Sequence, residues 1–576
     1  MISSGCALAL FTFAPGHVLT AASPAPAAAA AAVAAAPGAL AEAVMEGDRT
    51  LAKQLVKQGA DVNATLGDGM SALHWAAKRG DADLAQVLLT AGANVKAVTR
   101  LGSFTPLHLA SEVGNGPVIT ALLKAGAEAN AATRSGTTPL MLAAQSGDVV
   151  SISALVSAGA DVNAKETDRG HTPLLFAAAA NRVPAVKFLM AHGADPNVAT
   201  KVTDLTLLSK DGGNPDGRNL PAPVGRSGSG EAATPRTRVP GRDRNFLLNE
   251  LVYSQGGMTP LLFAARDGYV DLAATLLDAG VSINQRKGGD ETTPLLIATI
   301  NGQFDLGSML LDRGADPNLA SENGVTPLYA AINVQWAPKA LYPQPRAYLN
   351  QKLSYLEFMR KLLDKGANPN ARLRKKVWYS GYNFDQSGVD EIGATAFWRA
   401  AYGADVEAMK LLVAHGADPN LPTMRPAGRP TVGDAGERKV DDVSGMPAVP
   451  VGGPGVPPLL AAAGVGYGEG FAGNAHRYAP GGLLAAVKYL VEELHADVNA
   501  RDHEGNTAIH NAASRGDNEM IQYLVSKGAD VKMVNRAGLT TVDIANGPVQ
   551  RTQPYPETIA LLEKMGVKNN HRCVSC

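Results

Sequence analysis

The five residues at 59–63, GADVN, occur again at 159–163, and the variant GADPN occurs at 193–197, 314–318 and 416–420. Seven looser copies bring the total to twelve, and they begin at residues 92, 126, 280, 366, 495, 528 and 566. The shortest steps between copies are 33 or 34 residues. A fixed period of this length predicts a stack of similar structural units.

A second phrase recurs in step with the first and marks where a helix begins. It reads TPLH at 105–108, TPLM at 138–141, TPLY at 326–329 and TPLL at 172–175, 259–262 and 293–296. The Thr hydroxyl accepts hydrogen bonds from free backbone N–H groups, and Pro fits the first helical position because that N–H needs no partner. The Leu and Ala residues that follow give the helix a small apolar face. A further copy, SALH, begins at residue 71, and degraded copies begin at residues 395, 457 and 507.

Glycine and acidic residues mark where the helices of each unit end and where the turn to the next unit forms. Gly80, Gly147 and Gly268 are predicted to end first helices in the left-handed conformation. A second amphipathic helix follows and ends in Leu pairs such as Leu88-Leu89. The Gly of the GAD phrase stops this second helix, and its Asp is predicted to be a turn residue and not a catalytic carboxylate.

Two phrases at a fixed offset, recurring about a dozen times, resemble the ankyrin-repeat family from about Ala39 to Asn570. The resemblance implies an all-α fold, an ankyrin-repeat solenoid of helix–turn–helix units with hairpin fingers, here with several long loop insertions. It implies that His74, His108 and His510 tie neighbouring repeats by hydrogen bonds. It also implies a non-catalytic function: binding of a protein partner through the concave face and fingers.

The register of the two phrases divides the chain into repeats and interruptions. Repeats 1–5 are predicted at 39–200, repeats 6–9 at 258–420 and repeats 10–12 at 457–570. The interruptions are predicted to be insertions into the repeats. Long loops in compact folds are usually functional or disordered. They fall at 201–257, 334–354, 372–393, 421–456 and 464–482, and a short helix is possible at 245–253.

The N-terminus is predicted to be an export signal. Residues 1–26 contain an apolar stretch and small residues suited to cleavage, and 27–38 form an Ala/Pro linker. The basic segment that usually opens such a signal is absent, because Arg49 is the first Lys or Arg of the chain. A periplasmic or extracellular location is therefore the expectation, with a cytoplasmic location as the alternative.

The insertion at 372–393 is the sharpest candidate for a contact site. It combines basic and aromatic side chains, which contribute strongly to binding at protein interfaces. The alternatives are that its aromatic residues only fasten a long loop to the repeats, or that they contact nucleic acid. The predicted partner-binding residues are Arg372, Arg374, Lys375, Lys376, Trp378, Tyr379, Tyr382 and Phe384.

The chain ends in a Cys-x-x-Cys pair, Cys573 and Cys576, preceded by His571. A local disulfide or redox-labile tail is the favoured interpretation in an oxidising compartment. The alternatives are a tail without a role, a haem attachment site that would need a His after Cys576, and a zinc site that would have three ligands at most. The sequence predicts no cofactor and no metal.

Composition limits the remaining functions. The net charge is −1, so the chain has no general basic excess to hold a phosphate backbone. No apolar stretch is long enough for a membrane span. The sequence also lacks a phosphate-binding Gly loop, a nucleophile elbow and a His-Glu-x-x-His pair. The favoured prediction is a monomeric protein-binding scaffold; a redox- or haem-linked periplasmic protein and a secreted effector or intracellular regulator remain alternatives.

Overall fold

The computed structural model describes residues 37–205, 254–336, 347–375, 377, 389–426, 442–467, 477–547 and 554–570. The predicted leader, the possible helix at 245–253 and the Cys-x-x-Cys tail lie outside these residues. The described chain divides into two compact units. The first holds the residues up to Ala143 together with Val150–Ala160, and the second holds Ala144–Val149 and the residues from Asp161 onward.

Short helices follow one another in pairs along the described chain. The first eight are α1 (Ala39–Glu46), α2 (Arg49–Lys57), α3 (Ala72–Arg79), α4 (Ala82–Thr90), α5 (Pro106–Glu112), α6 (Gly116–Lys124), α7 (Pro139–Ser146) and α8 (Val149–Ser157). The next eight are α9 (Pro173–Ala179), α10 (Val183–Ala191), α11 (Pro260–Asp267), α12 (Val270–Asp278), α13 (Pro294–Ile300), α14 (Phe304–Asp312), α15 (Pro327–Trp336) and α16 (Tyr355–Asp364). The last eight are α17 (Ala396–Tyr402), α18 (Val406–Ala414), α19 (Pro458–Ala462), α20 (Gly482–Lys488), α21 (Ala508–Ala513), α22 (Asn518–Ser526), α23 (Thr541–Ala545) and α24 (Pro556–Lys564).

Other regular structure in the described residues is brief. A π-helical turn, Tyr489–Glu493, continues α20, and a 3-10 turn covers Ala347–Asn350. Strand β1 (Thr203–Asp204) pairs antiparallel with β2 (Ser254–Gln255). These helix pairs confirm the predicted all-α repeat fold.

The helices begin and end at the residues that the recurring phrases predict. Helices α9, α11 and α13 begin at Pro, and the hydroxyl groups of Thr172, Thr259 and Thr293 accept hydrogen bonds from the third helical N–H. Such a cap contributes about 1 kcal/mol to helix stability. Gly80 and Gly268 end their helices with φ values of 69° and 78°, in the left-handed region where a side chain is strained.

Each helix pair buries small and branched apolar residues. In the first unit, Leu73, Ala76 and Ala77 of α3 and Leu84 and Leu88 of α4 are at most 2% exposed. Helices of five to ten residues are marginal in water by themselves, so packing must stabilise them. Stability in such an array comes from contacts between neighbouring units.

Buried histidines link repeats in the predicted way. The Nδ1 atom of His74 accepts the backbone N–H of Ser71 at 3.2 Å, and Nε2 lies 3.1 Å from the carbonyl oxygen of Phe104 in the next finger. His108 repeats the arrangement with the N–H of Thr105 at 3.2 Å and the carbonyl of Thr137 at 3.1 Å. Because Nδ1 accepts, the ring is neutral and Nε2 carries the proton. The predicted linking role is confirmed for His74 and His108.

The repeated Asp is a turn residue, as predicted. In the first unit, Asp61 Oδ1 accepts the N–H of Asn63 at 2.9 Å. Asn63 Nδ2 then donates to the carbonyl of Gly92, and Asn63 Oδ1 accepts the N–H of Asn94 at 2.7 Å. In the second unit, Asn318 and Asn370 make the same pair of bonds to the next turn. The phrase that sets the period therefore also joins successive turns.

The described parts of the insertions lie close to the repeats. Helix α15 continues through Trp336, so 334–336 of the segment predicted as an insertion at 334–354 are helical. The two ends of the 421–456 insertion pair with each other, since Thr423 N–H donates to the carbonyl of Val456 at 3.0 Å and Gly455 N–H donates to that of Thr423 at 2.7 Å. The other predicted domain boundaries stay predictions.

Candidate interaction surface

The hairpin fingers between repeats are built on one buried residue each, which we call the finger anchor. Thr99 is the anchor of a finger in the first unit: its N–H donates to the carbonyl of Phe104 at 2.9 Å, and its hydroxyl accepts the N–H of Phe104 at 3.0 Å. Glu166, Asp502 and Asn535 do the same in the second unit, with a carboxylate or amide oxygen as the acceptor. The anchor closes the finger through its own side chain.

The residue after the anchor joins its finger to the preceding one. Its backbone N–H donates to a carbonyl of that finger, as from Arg100 to Asp68 at 2.9 Å and from Arg374 to Asn323 at 2.8 Å. Seven described fingers share this bond, and five have a basic residue there. We call these basic residues the finger column of their unit: Arg100 and Arg134 in the first unit, and Lys201, Arg374 and Arg536 in the second.

Exposure separates the anchor from the column residue. Thr99, Thr133 and Thr200 are buried, whereas Arg100, Arg134 and Lys201 are exposed. These three cations and Arg374 make no ion pair with another residue of the described ranges. Four of the five finger-column residues therefore present cations to solvent on a backbone held by hydrogen bonds between fingers, and Arg536 is the one that forms an ion pair.

The structure describes three of the predicted contact residues, and they differ from one another. Arg372 donates from Nε to the carbonyl of Gly393 at 2.8 Å and from Nη2 to that of Pro422, so it joins two neighbouring fingers. Burial lowers its pKa. Lys375 pairs with Glu322 at 2.7 Å. Arg374 is exposed, and it alone of the three belongs to the finger column.

The other predicted contact residues lie outside the described residues. They are Lys376, Trp378, Tyr379, Tyr382 and Phe384. Their role in binding, and the alternative that they fasten the loop, stay predictions. The same holds for the predicted disulfide of Cys573 and Cys576.

A cleft lies at the other end of the repeats in the second unit, where the two helices of a pair connect. It encloses about 700 Å³ and is lined by Trp336, Tyr355, Tyr489, Glu407 and Lys410 among others. Asp405 is its central polar group and is 2% exposed. The Asp405 carboxylate caps α18 through the N–H of Ala408 and accepts Trp336 Nε1 and Tyr355 OH, each at 2.7 Å.

Burial and the bond to Asp405 raise the pKa of Tyr355, so its phenol keeps its proton and remains the donor. Glu407, Glu493, Lys410 and Lys488 border the cleft. Lys410 lies 3.6 Å from Glu493 and 5.3 Å from the centre of the Tyr489 ring. The charges on this rim are thus partly matched within the protein.

A buried arginine supports the wall of this cleft. Arg399 is 2% exposed, donates from Nε to Asn333 at 2.7 Å and from Nη2 to the carbonyl of Trp336 at 2.9 Å, and lies over the ring of Tyr402. Helix α15 ends at Trp336, and a cation is favourable at the negative end of a helix. No carboxylate of the described residues pairs with Arg399. The helix end and the aromatic ring therefore take the place of a counter-ion.

Trp336 and Tyr355 were not among the predicted contact residues. Asp405 gave a local signal, since Asp is a favoured N-cap residue. No local signal indicated the hydrogen bonds of Asp405 with Trp336 and Tyr355, which lie 69 and 50 positions away in the sequence. Arg536 and Asp442, which form an ion pair across 94 residues, were also missed for this reason.

Two further searches of the described residues were negative. No group of three or more His, Cys, Asp or Glu side chains there is arranged to hold a metal ion. No helix in the described ranges combines the length and the apolar character that a membrane span requires.

Comparison with known families extends these observations along the chain. A model of ankyrin repeats in three copies matches residues 40–133, 118–200 and 261–373. A second model, of many copies, matches 476–545, and a single-repeat model matches 392–424. The matches fall on the helix pairs and leave most of the predicted insertions uncovered.

Two curated proteins show partial similarity. The chain is 30% identical to alpha-latrocrustotoxin-Lt1a of Latrodectus tredecimguttatus over 146 residues, which are 25% of this chain and 7% of that protein. It is 34% identical to ankyrin repeat and SAM domain-containing protein 6 of Rattus norvegicus over 90 residues, which are 16% of this chain and 10% of that protein. The match thus spans a tenth or less of either relative's length.

Proposed function

Because the chain belongs to the ankyrin-repeat family, whose repeats are protein–protein interaction modules, we propose that it is a non-catalytic scaffold. It binds a protein partner through the concave face and the hairpin fingers of its repeats. The observation that carries this proposal is the finger column. Four of its five cations have no ion pair within the described chain and stand on a hydrogen-bonded backbone, which is a preorganised surface for an acidic partner.

Apolar side chains beside the column support the same surface. Leu101 and Val98, on the finger that carries Arg100, are 72% and 54% exposed. Scattered exposed apolar residues are normal, but two on one finger beside an unpaired cation are a combination typical of interfaces. We therefore infer that the fingers of the first unit contact the partner with both charge and apolar area.

Site-specific photo-crosslinking tests the proposal. A photoreactive amino acid placed at Leu101 probes the finger, and one placed at Val150, which is 65% exposed at the start of α8, is the matched control. We expect a crosslinked partner from position 101 and none from position 150. A crosslink from 150 alone, or none from 101 with the partner bound, would place the interface elsewhere.

Charge reversal gives a second test on the same unit. Arg100→Glu with Arg134→Glu should weaken affinity capture of the partner at least tenfold, because like charges now face it. Lys53→Glu with Lys57→Glu makes the same change in net charge at exposed sites on α2. Equal loss from both double variants would show a general charge effect and contradict a finger interface.

The predicted contact site at 372–393 can be tested separately. Deletion of 378–388 removes its aromatic residues but leaves Arg372 and residues 389–394, which tie neighbouring fingers. We expect weaker capture with unchanged thermal unfolding. A lower unfolding temperature with unchanged capture of the partner would favour the alternative that the aromatic residues fasten the loop.

We further propose that the scaffold is exported to the periplasm or outside the cell, supported by the apolar and small-residue composition of residues 1–26. N-terminal sequencing of the mature protein tests this. A start near residue 23 or 28 is expected, and an intact Met1 in protein from the native source would overturn the proposal.

A further inference from the structure

Residues 442–447 of the 421–456 insertion contact the fingers of two later repeats. The contacts centre on Arg536, which belongs to the finger column. Its Nη1 donates to the carboxylate of Asp442 at 2.6 Å and to the carbonyl of Met446 at 3.3 Å, and its Nη2 donates to the carbonyl of Pro447 at 2.6 Å. The N–H of Val443 donates to the backbone carbonyl of Arg536 at 2.9 Å.

The Arg536 side of this contact is built from the repeats alone. Its Nε donates to the carbonyl of His503 at 2.9 Å, and its backbone N–H donates to the carbonyl of Glu504 at 2.9 Å. These bonds fix the plane of the guanidinium against the neighbouring finger and leave the two terminal nitrogens directed outward. Such a planar fork suits a carboxylate and carbonyl groups. The receptor surface therefore does not depend on the inserted segment for its shape.

An apolar contact lies beside the guanidinium. Gly505, at the tip of the preceding finger, has a φ of 81°, and a Cβ atom there would lie 2.6 Å from Cε of Met446. The absence of a side chain thus makes room for the end of the Met446 side chain. Anchoring by one long apolar residue beside an ionic contact is a common form of peptide recognition.

The inserted segment 442–447, which we call the docked segment, has the features of a ligand. It has no regular secondary structure, and local bonds hold its shape. Asp442 Oδ1 accepts the N–H and hydroxyl of Ser444, and Ser444 Oγ accepts the N–H of Met446 at 3.1 Å. The bonds from Ser444, and then the one from Arg536, lower the pKa of Asp442 to about 2. The carboxylate is therefore charged at neutral pH.

The docked segment covers the fingers loosely. Asp442 is 41% exposed at its side chain and Val443 is 55% exposed, so release would uncover little apolar area. The following residues have a separate attachment, because Gly452 N–H donates to the carbonyl of Arg425 and Arg425 N–H donates to that of Gly453 at 2.8 Å. Residues 442–447 can thus leave while 452–456 stay paired.

We propose that the fingers carrying Gly505 and Arg536 form a peptide-binding site, occupied in this chain by its own docked segment. The partner that fits it is an extended peptide with an Asp four residues before a Met-Pro pair, or a close chemical equivalent. Such a peptide binds when it displaces residues 442–447. This inference rests on the proposed function, of which it names one site and the class of its ligand.

A synthetic peptide of residues 442–451, DVSGMPAVPV, blocked at both ends and fluorescently labelled, is the probe. It is titrated against the full chain and against a full-length variant with 442–447 replaced by alternating Gly and Ser. We expect at least tenfold tighter binding to the variant, because a tethered segment competes at an effective concentration on the order of mM. Equal affinity, or no binding to the folded variant, would overturn the proposal.

Two matched comparisons establish where the peptide binds. In the Gly/Ser variant, Arg536→Ala should abolish binding, whereas Lys527→Ala should not. Lys527 follows α22, pairs with Glu492 at 2.9 Å and does not touch the docked segment. On the ligand side, a peptide with Asp442→Asn and Met446→Ala should bind at least tenfold more weakly. Binding that survives either Arg536→Ala or the altered peptide would refute the site.

The outcome is independent of the proposed function as a whole. No external partner enters the peptide titration, so its failure would leave the crosslinking at Leu101 untouched. Conversely, loss of that crosslink would leave the peptide titration valid as a test of the Arg536 site.

Discussion

Acidification should destabilise the repeats that contain buried histidines. His108 is fully buried, and burial lowers its pKa from an ordinary value of 6.5 to about 4. A group whose pKa is lower in the folded state stabilises the fold fully above its unfolded pKa. That stability is lost as pH falls from 6.5 towards 4. Between pH 7.5 and pH 5.0 the loss works out at about 2 kcal/mol for this residue.

The structure gives the reason for the penalty. The His108 Nδ1 accepts the N–H of Thr105, and its Nε2 donates to the carbonyl of Thr137. Protonation of Nδ1 would turn that acceptor into a second donor facing an N–H group. It would also place a charge among apolar side chains, where no carboxylate of the described residues pairs with it.

Native-state hydrogen exchange of amides in α5 measures the local unfolding free energy, which suits a repeat array that need not unfold in one step. The control is His108→Leu, because the chain itself has Leu175, Leu262 and Leu296 at this position of other repeats. We expect the wild-type value to fall by about 2 kcal/mol from pH 7.5 to 5.0 and the variant value to change by a few tenths. An imidazole that titrates near pH 6.5 in the folded protein, or an equal loss in the variant, would refute the reasoning.

Two substitutions in the second unit test other parts of the fold. Asp405→Ala should lower the unfolding free energy by about 3 kcal/mol, because it removes a helix cap and leaves the buried Trp336 and Tyr355 donors without their acceptor. Tyr355→Phe removes only one of these donors and should lower the unfolding free energy by about 1 kcal/mol. Equal midpoints of urea unfolding for the two variants would contradict this account. Gly147→Val should cost about 2 kcal/mol or more, since φ is 87° and a Cβ atom would lie 2.6 Å from Cδ of Arg182. Gly193→Val is the control, with a φ of 88° and open space around it, and should be the milder of the two in thermal unfolding.

The fold could be predicted because its determinants are local and repeated. A Thr before Pro, a Gly in the left-handed region and an Asp two residues before an Asn each act within a few residues, as Thr172, Gly80 and Asp61 show. Each copy supports the interpretation of the others. Even the histidine link follows from the register, because His74 and His108 reach the finger of the next repeat.

The candidate surface could be predicted only in part. The predicted cations at 372–375 do lie at a finger, but two of the three are engaged within the protein, Arg372 with carbonyls and Lys375 with Glu322. The finger column was not predicted, because the insertions make the sequence spacing between its members irregular. The contact of Arg536 with Asp442 depends on how a long insertion folds back, and neither residue's neighbours in sequence indicate it.

The two ends of a repeat accept insertions by different physical means. At the fingers, the insertion 421–456 is closed by main-chain bonds between Thr423, Gly455 and Val456, which many sequences could form. At the helix-connecting end, the chain around α15 and α16 is held by side chains: Trp336 and Tyr355 on the buried Asp405, and Arg399 on the end of α15. Main-chain closure leaves the side chains of an insertion free to act as ligands, whereas side-chain closure uses them to support the core. The insertions at the fingers are therefore the ones from which we expect recognition, and the docked segment at Arg536 is the described case.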